Sequence, residues 1–154
     1  MPSETVNGTT YSLVYRHSMD DKRRVPVPFR WRPKEPIDFA LVVWPKHAAG
    51  TCLRVLPPGP WARFMAEIEA MEDVERKPTV KRMIGTFSTT MKLDAAGRLT
   101  IPENMAAAAD IKPQGEVVLV GLLDRFEIWS PARYTSAHEM DSPIWKQVLT
   151  KMGE

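Results

Sequence analysis

The sequence predicts an α+β, β-rich fold made of two tandem repeats with flanking helices. Residues 19–28 (MDDKRRVPVP) and 93–102 (LDAAGRLTIP) share one order: apolar, Asp, three residues, Arg, apolar, any residue, β-branched, Pro, at a separation of 74. A second pair of blocks, CLRVLPPGPW at 52–61 and RFEIWSPARY at 125–134, lines up at a separation of 73. Short apolar runs bounded by turns alternate with helix-forming segments in both halves. At 154 residues, 44% of them hydrophobic, the chain can bury a core and is too apolar to be mainly disordered.

The elements follow in order. Tyr11 to Met19, rich in aromatic and β-branched residues, reads as a strand entering the first motif. Asp20 to Arg24 is a tight turn opened by an Asp that can accept from the backbone, and Val25 to Val27 is a short strand leading away. Phe29–Arg30–Trp31–Arg32 is cut short by Pro33 and Pro36, which leaves at most one helical turn. Phe39 to Trp44 and Thr51 to Leu56 form a hairpin around PKHAAG. From Trp61 to Met71 the apolar residues Trp61, Phe64, Met65, Ile68 and Met71 recur at helical spacing, a stripe read as core packing. Pro78 ends or restarts that helix, and Thr79 to Ile84 forms another.

The second half runs the same course. Thr86 to Leu93 is a strand, Asp94 to Arg98 a turn and Leu99 to Ile101 a short strand. Pro102 fits the first helical position, with Glu103 in the favourable first turn and NMAAAAD as a strong helix former. Val117 to Gly121 and Phe126 to Ser130 flank LLDR, and a terminal helix after Pro131 runs through Trp145 and Met152. Neither half hides its apolar faces alone, so the two are expected to close on each other as paired sheets.

Net charge is only +2, but it is unevenly spread. Residues 1–59 hold 9 Lys/Arg against 5 Asp/Glu, whereas residues 91–154 hold 7 against 9. The basic run Arg16, Lys22, Arg23, Arg24, Arg30, Arg32 and Lys34 is interleaved with Phe29 and Trp31, a pattern that suits nucleic acid as well as a solvated face. The acidic run Glu67, Glu69, Glu72, Asp73 and Glu75, placed on a helix, reads as a solvated face. The longest apolar stretches are far below the ~20 residues a membrane span needs, and the polar start MPSETVNGTT is read as lacking a secretory signal. Cys52, the one cysteine, cannot form an internal disulfide and is read as a small buried hydrophobe in a reducing compartment.

Residues that carry enzyme chemistry are not gathered anywhere. His17, His47 and His138 are scattered, no Gly-flanked Ser joins them, and one Cys with three His gives no zinc spacing. Asp20 and Asp21 are adjacent and so make a poor acid/base pair, and the eight glycines form no phosphate loop. The chain is therefore read as a non-enzyme with no metal, no cofactor and no small-molecule substrate. The repeated turn suits binding instead. An Arg at each of two related turns offers a pair of planar forks for phosphates or guanine edges, and the Asp four residues earlier can hold each one in position. The same Asp–Arg pair also fits a purely structural turn clamp.

LDAAGRLTIPENM followed by EVVLVGLLDRFEIWSPARY closely resembles the second repeat of the MraZ family, and YRHSMDDKRRVPVPFRWRP is similar to its first. The resemblance implies two tandem SpoVT/AbrB-type swapped-hairpin repeats intertwined in one pseudo-two-fold barrel with flanking helices. Its division would be 8–61 for the first repeat, 62–85 for connecting helices, 86–134 for the second repeat and 135–154 for a C-terminal helical tail. It further implies a cytoplasmic, nucleoid-associated transcriptional regulator. Such a protein would assemble as a ring and bind short direct repeats in double-stranded promoter DNA to repress the division and cell-wall gene cluster. The family's Asp-x-x-x-Arg signature falls on Asp20 and Arg24, and again on Asp94 and Arg98, with the arginines as expected DNA contacts. Lys22, Arg23 and Arg16 of the basic run join them as candidates. Gly97 precedes Arg98 as is usual in the family, whereas Arg23 stands at that place in the first turn. Either the first turn is reshaped, or Arg23 takes a strained backbone and adds a phosphate contact. Two other readings stay open: a ring-forming interaction protein with a reduced DNA face, and an antitoxin-like binding module.

Overall fold

The computed structural model describes residues 8–153. The start of the chain, on which the expectation of no secretory signal rests, lies mostly outside those residues. In chain order the elements are β1 (Val14–Ser18), β2 (Arg24–Pro26), β3 (Phe39–Trp44), β4 (Cys52–Leu56), α1 (Pro58–Glu69), α2 (Lys77–Thr86), β5 (Ser88–Met91), β6 (Arg98–Thr100), α3 (Glu103–Ala108), β7 (Glu116–Gly121), β8 (Phe126–Trp129) and α4 (Pro131–Met152). Phe29–Trp31 adds a single 3-10 turn after β2. Among the described residues no helix is long and apolar enough to cross a membrane.

The strands form a six-stranded antiparallel sheet in the order β1-β7-β8-β4-β3-β5, and β2 pairs with β6 in a separate two-stranded ribbon. Each hairpin is therefore completed by a strand from the other half: β1 lies on β7, and β5 on β3. Exchanging every strand for its counterpart in the other half reverses the order and leaves it unchanged, which is the mark of a pseudo-two-fold axis. In place of one closed barrel, hydrogen bonding leaves β1 and β5 as edges and sets the ribbon apart.

That axis can be located by register. In the ribbon Arg24 opposes Thr100, Val25 opposes Leu99 and Pro26 opposes Arg98, so the axis passes between the equivalent residues Val25 and Leu99. At the sheet centre Leu53 opposes Ile128 and Val55 opposes Phe126, so it passes between Arg54 and Glu127. Those two side chains are paired: the Arg54 guanidinium donates from Nε to Glu127 Oε2 at 2.8 Å, and Trp129 Nε1 donates to Glu127 Oε1 at 2.9 Å. The Arg54 guanidinium also lies over the Trp44 ring, 4.2 Å from its centroid. Cys52 is buried on the same face, where desolvation, with Glu127 nearby, raises its thiol pKa far above the usual range.

The main core lies between the sheet and the ribbon. Tyr11, Trp31, Phe39 and Phe126 stack there with centroids 4.9–6.2 Å apart, joined by Val25, Leu99, Ile101 and Met105. Trp31 is fully buried and its Nε1 donates to the Ser12 carbonyl at 3.1 Å, so it belongs to the core and not to any nucleic-acid face. The first strand is shorter than its composition suggests. Leu13 takes a left-handed φ of 77°, which breaks the run, and Tyr11 is left with an isolated bridge to Leu123.

The helices also differ from the sequence reading. α1 starts at Pro58 and α4 at Pro131, equivalent positions where a proline at the first helical residue misses no donor. Pro102 stands one place before α3, as its cap, with an extended ψ of 146°. The α1 stripe is half-buried: Trp61 packs beside Ala40, Val42 and Leu56, while Phe64 meets Trp44 edge-on at 5.6 Å. Of the acidic run only Glu67 and Glu69 are helical, and Asp73 instead binds Arg76 in the bend before α2. α4 holds Ala137 against the sheet, but beyond it Met140, Ile144, Trp145, Val148, Leu149 and Met152 are exposed.

Candidate nucleic-acid interface

The two turns are built alike. Asp20 Oδ1 accepts from the amides of Lys22 (2.9 Å) and Arg24 (2.7 Å), and Asp94 Oδ1 accepts from those of Ala96 (3.0 Å) and Arg98 (2.9 Å). The second carboxylate oxygen takes the guanidinium: Arg24 Nε donates to Asp20 Oδ2 at 2.6 Å and Arg98 Nε to Asp94 Oδ2 at 2.8 Å. One Asp thus ties the turn and aims the Arg. Asp20 is held below the ordinary carboxylate value first by the Arg24 amide, with the Arg24 guanidinium and the Lys22 amide adding to it against some desolvation. At Asp94 desolvation pushes upward, yet the Arg98 amide and guanidinium and the Ala96 amide together still bring the pKa below its ordinary value.

Alternation in the ribbon turns Val25 and Leu99 into the core, and therefore puts Arg24, Pro26, Arg98 and Thr100 together on the opposite, accessible face. Arg24 and Arg98 sit diagonally across that face, at the roughly 7–8 Å Cα spacing of such neighbours. Among the described residues, neither guanidinium pairs with a carboxylate other than its own Asp. About a third of either side chain is accessible.

The turn backbones match despite the difference in residue. Arg23 adopts φ 60° where Gly97 adopts φ 78°, so the first turn is not reshaped and Arg23 accepts the left-handed conformation. Its side chain turns inward: Nε donates to the Ile101 carbonyl at 2.9 Å, while the Ile101 amide donates back to the Arg23 carbonyl at 2.9 Å. The equivalent carbonyl, that of Val27, accepts from Arg32 Nε at 2.9 Å, and the Val27 amide donates to Gly97 at 2.9 Å. A side-chain carbon on Gly97 would run into that Arg32 side chain. Arg32, which sequence reasoning left within the basic run, is thus a brace between the two halves; its side chain, together with the left-handed φ, explains the glycine.

Lys22 is exposed at the tip of the first turn, beside the ribbon. Arg16 is elsewhere, on edge strand β1, bound to Glu116 at 3.2 Å and 5.8 Å from the Tyr134 ring centroid. Among the described residues no three His, Cys, Asp or Glu side chains converge as a metal site.

Fold and site together define a twinned β-rich module, in which two halves exchange strands and present equivalent arginines on one ribbon. Residues 85–144 match the family described as "MraZ protein, putative antitoxin-like". A Roseiflexus castenholzii protein named Transcriptional regulator MraZ is 30% identical over 142 residues, covering 90% of this chain and 95% of that protein. Proteins of the same name from Halothermothrix orenii (30% identical, 91% and 94% covered) and Thermus thermophilus (32%, 81% and 85%) are similar along most of both chains. The chain belongs to the MraZ family.

Proposed function

We propose that this protein is a transcriptional regulator that binds double-stranded promoter DNA, with the exposed face of the β2–β6 ribbon laid in the major groove. The observation that carries the reading is the placement of Arg24 and Arg98 on one accessible ribbon face, each aimed by its own Asp. A two-stranded ribbon fits a groove about 12 Å wide, and a pre-aimed guanidinium suits the O6/N7 edge of guanine. Lys22 adds a phosphate contact at the ribbon's end. Arg23 supports the face from within, through its bond to Ile101. Arg16 lies off the ribbon and makes at most a peripheral phosphate contact.

The finer parts of the reading belong to the same proposal. The strand exchange between halves fits two SpoVT/AbrB-like swapped-hairpin repeats, 8–61 and 86–134, joined by helices at 62–85 and followed by the tail 135–154. The relatives' shared name supports regulation, and repression of a division and cell-wall cluster from short direct repeats is the form proposed, in the cytoplasm at the nucleoid. A single ribbon contacts few bases, so several copies joined in a ring gain by effective concentration on tandem sites. The uncovered apolar residues of α4 supply surface for such assembly.

The test is a titration of the purified chain with DNA from upstream of its own gene and with scrambled DNA, at two salt concentrations. Specific binding that weakens steeply with salt and is lost in Arg98→Ala, with the fold intact, is the expected result. A folded oligomer that prefers neither DNA overturns the reading and leaves a ring-forming interaction protein.

A further inference from the structure

We infer that Phe29 is a specificity-determining residue of this DNA face, whose ring meets the 5-methyl group of a thymine beside the base read by Arg98. The inference rests on the proposed DNA-reading role of the ribbon. Phe29 is 83% exposed, the most exposed large apolar side chain among the described residues, although it follows directly on fully buried Val27 and buried Pro28. Exposure of this kind is normal for a stray surface residue. Here, however, the backbone that carries the ring is held in place. It opens the 3-10 turn closed by Trp31 N to Pro28 O at 2.9 Å and Arg32 N to Phe29 O at 3.1 Å, and the turn is anchored by the buried Trp31.

Position gives the ring its role. The Arg32 guanidinium lies 5.8 Å from the Phe29 centroid and, at the same time, against Gly97, the residue before Arg98. Phe29, Arg32 and Gly97 therefore form a continuous contact that ends at the second reading turn, and Pro26, three residues before Phe29, faces Arg98 in the ribbon. An apolar ring next to a base-reading Arg in the major groove finds one apolar feature on the base edges, the thymine methyl. The equivalent position in the other half, 74 residues on, is the exposed Glu103, which repels the DNA backbone. Arg30 likewise has Asn104 as its counterpart. The pseudo-two-fold face is thus polar in direction, and the protein lies one way round on a non-palindromic site.

The experiment compares the parent chain, Phe29→Ala and Arg98→Ala on upstream DNA and on the same duplex with its thymines replaced by uracil. The parent is expected to lose about fourfold for the buried methyl on uracil DNA. Phe29→Ala is expected to bind thymine DNA as weakly as the parent binds uracil DNA, to be indifferent to uracil, and to keep the parent's salt dependence, since no phosphate contact is removed. A Phe29→Ala protein that binds like the parent, or that loses the same factor on uracil DNA as the parent, overturns the inference. Loss in Arg98→Ala alone leaves the ribbon reading standing without Phe29, while no specific binding by the parent removes both. Because parent binding to uracil DNA needs no variant, the methyl contact is tested even if Phe29→Ala folds poorly.

Discussion

Arg23 and Gly97 occupy equivalent places in the two turns and share a left-handed backbone, with φ 60° and 78°. A side chain there costs about 1 kcal/mol, and at Arg23 a bond from Nε to the Ile101 carbonyl offsets it. Arg23→Ala keeps the strain and loses the bond, so it should destabilise by about 1–2 kcal/mol. Arg23→Gly relieves the strain and should stay within about 1 kcal/mol of the parent. Gly97→Ala adds strain and displaces Arg32, with an expected loss of about 2 kcal/mol or more. Urea midpoints of the three variants check the order.

Acid should loosen both Asp-opened turns. Asp20 and Asp94 are held below their ordinary value of 3.8, so the folded state binds protons less readily than the unfolded chain. Their contribution is whole above that ordinary value and drains as pH falls below about 4 toward the lowered folded values. Asp20→Asn and Asp94→Asn should each flatten part of the fall in stability with acid. A remainder should persist, because Asp73, Asp110 and Asp124 are lowered as well. Urea midpoints from pH 6 to pH 3 test this, and an unchanged profile in both variants would contradict it.

The axial ion pair should be more costly to break than to replace. Glu127→Ala leaves Arg54 without its carboxylate and Trp129 Nε1 without an acceptor, an expected loss of about 3 kcal/mol. Arg54→Met combined with Glu127→Leu should recover the share of that loss due to the stranded guanidinium, leaving the share due to the unpartnered Trp129 indole. A double-mutant cycle in thermal or urea unfolding measures the coupling.

Much of the fold was legible because its signals are local. Phe39 to Trp44 is an uninterrupted apolar run between prolines and a turn, and β3 spans those same residues. The Asp-opened turns were likewise readable, since Asp and Arg at a spacing of four carry their own hydrogen bonds. Partner choice was not readable: nothing in β1 itself says that it lies on β7 of the other half. Trp31 and Phe29 show the same limit in the site. They are two residues apart in one basic run, yet a single 3-10 turn sends one into the core and the other outward. The left-handed Leu13, which shortens β1, has no residue-type signal at all, for leucine rarely adopts that conformation.

Arg54 and Glu127 meet where the two halves are related by rotation, a place where a symmetric pair of separate chains would set each residue against its own copy. Two arginines or two glutamates there would repel. Opposite charges can occupy that spot only because both halves lie on one polypeptide and have diverged independently. The pairing rewards a first half for closing on a second half, and penalises closure of two like halves on each other. The two linked repeats thereby act as an internal heterodimer, in which like halves of different molecules are poor partners while a crowded nascent population folds.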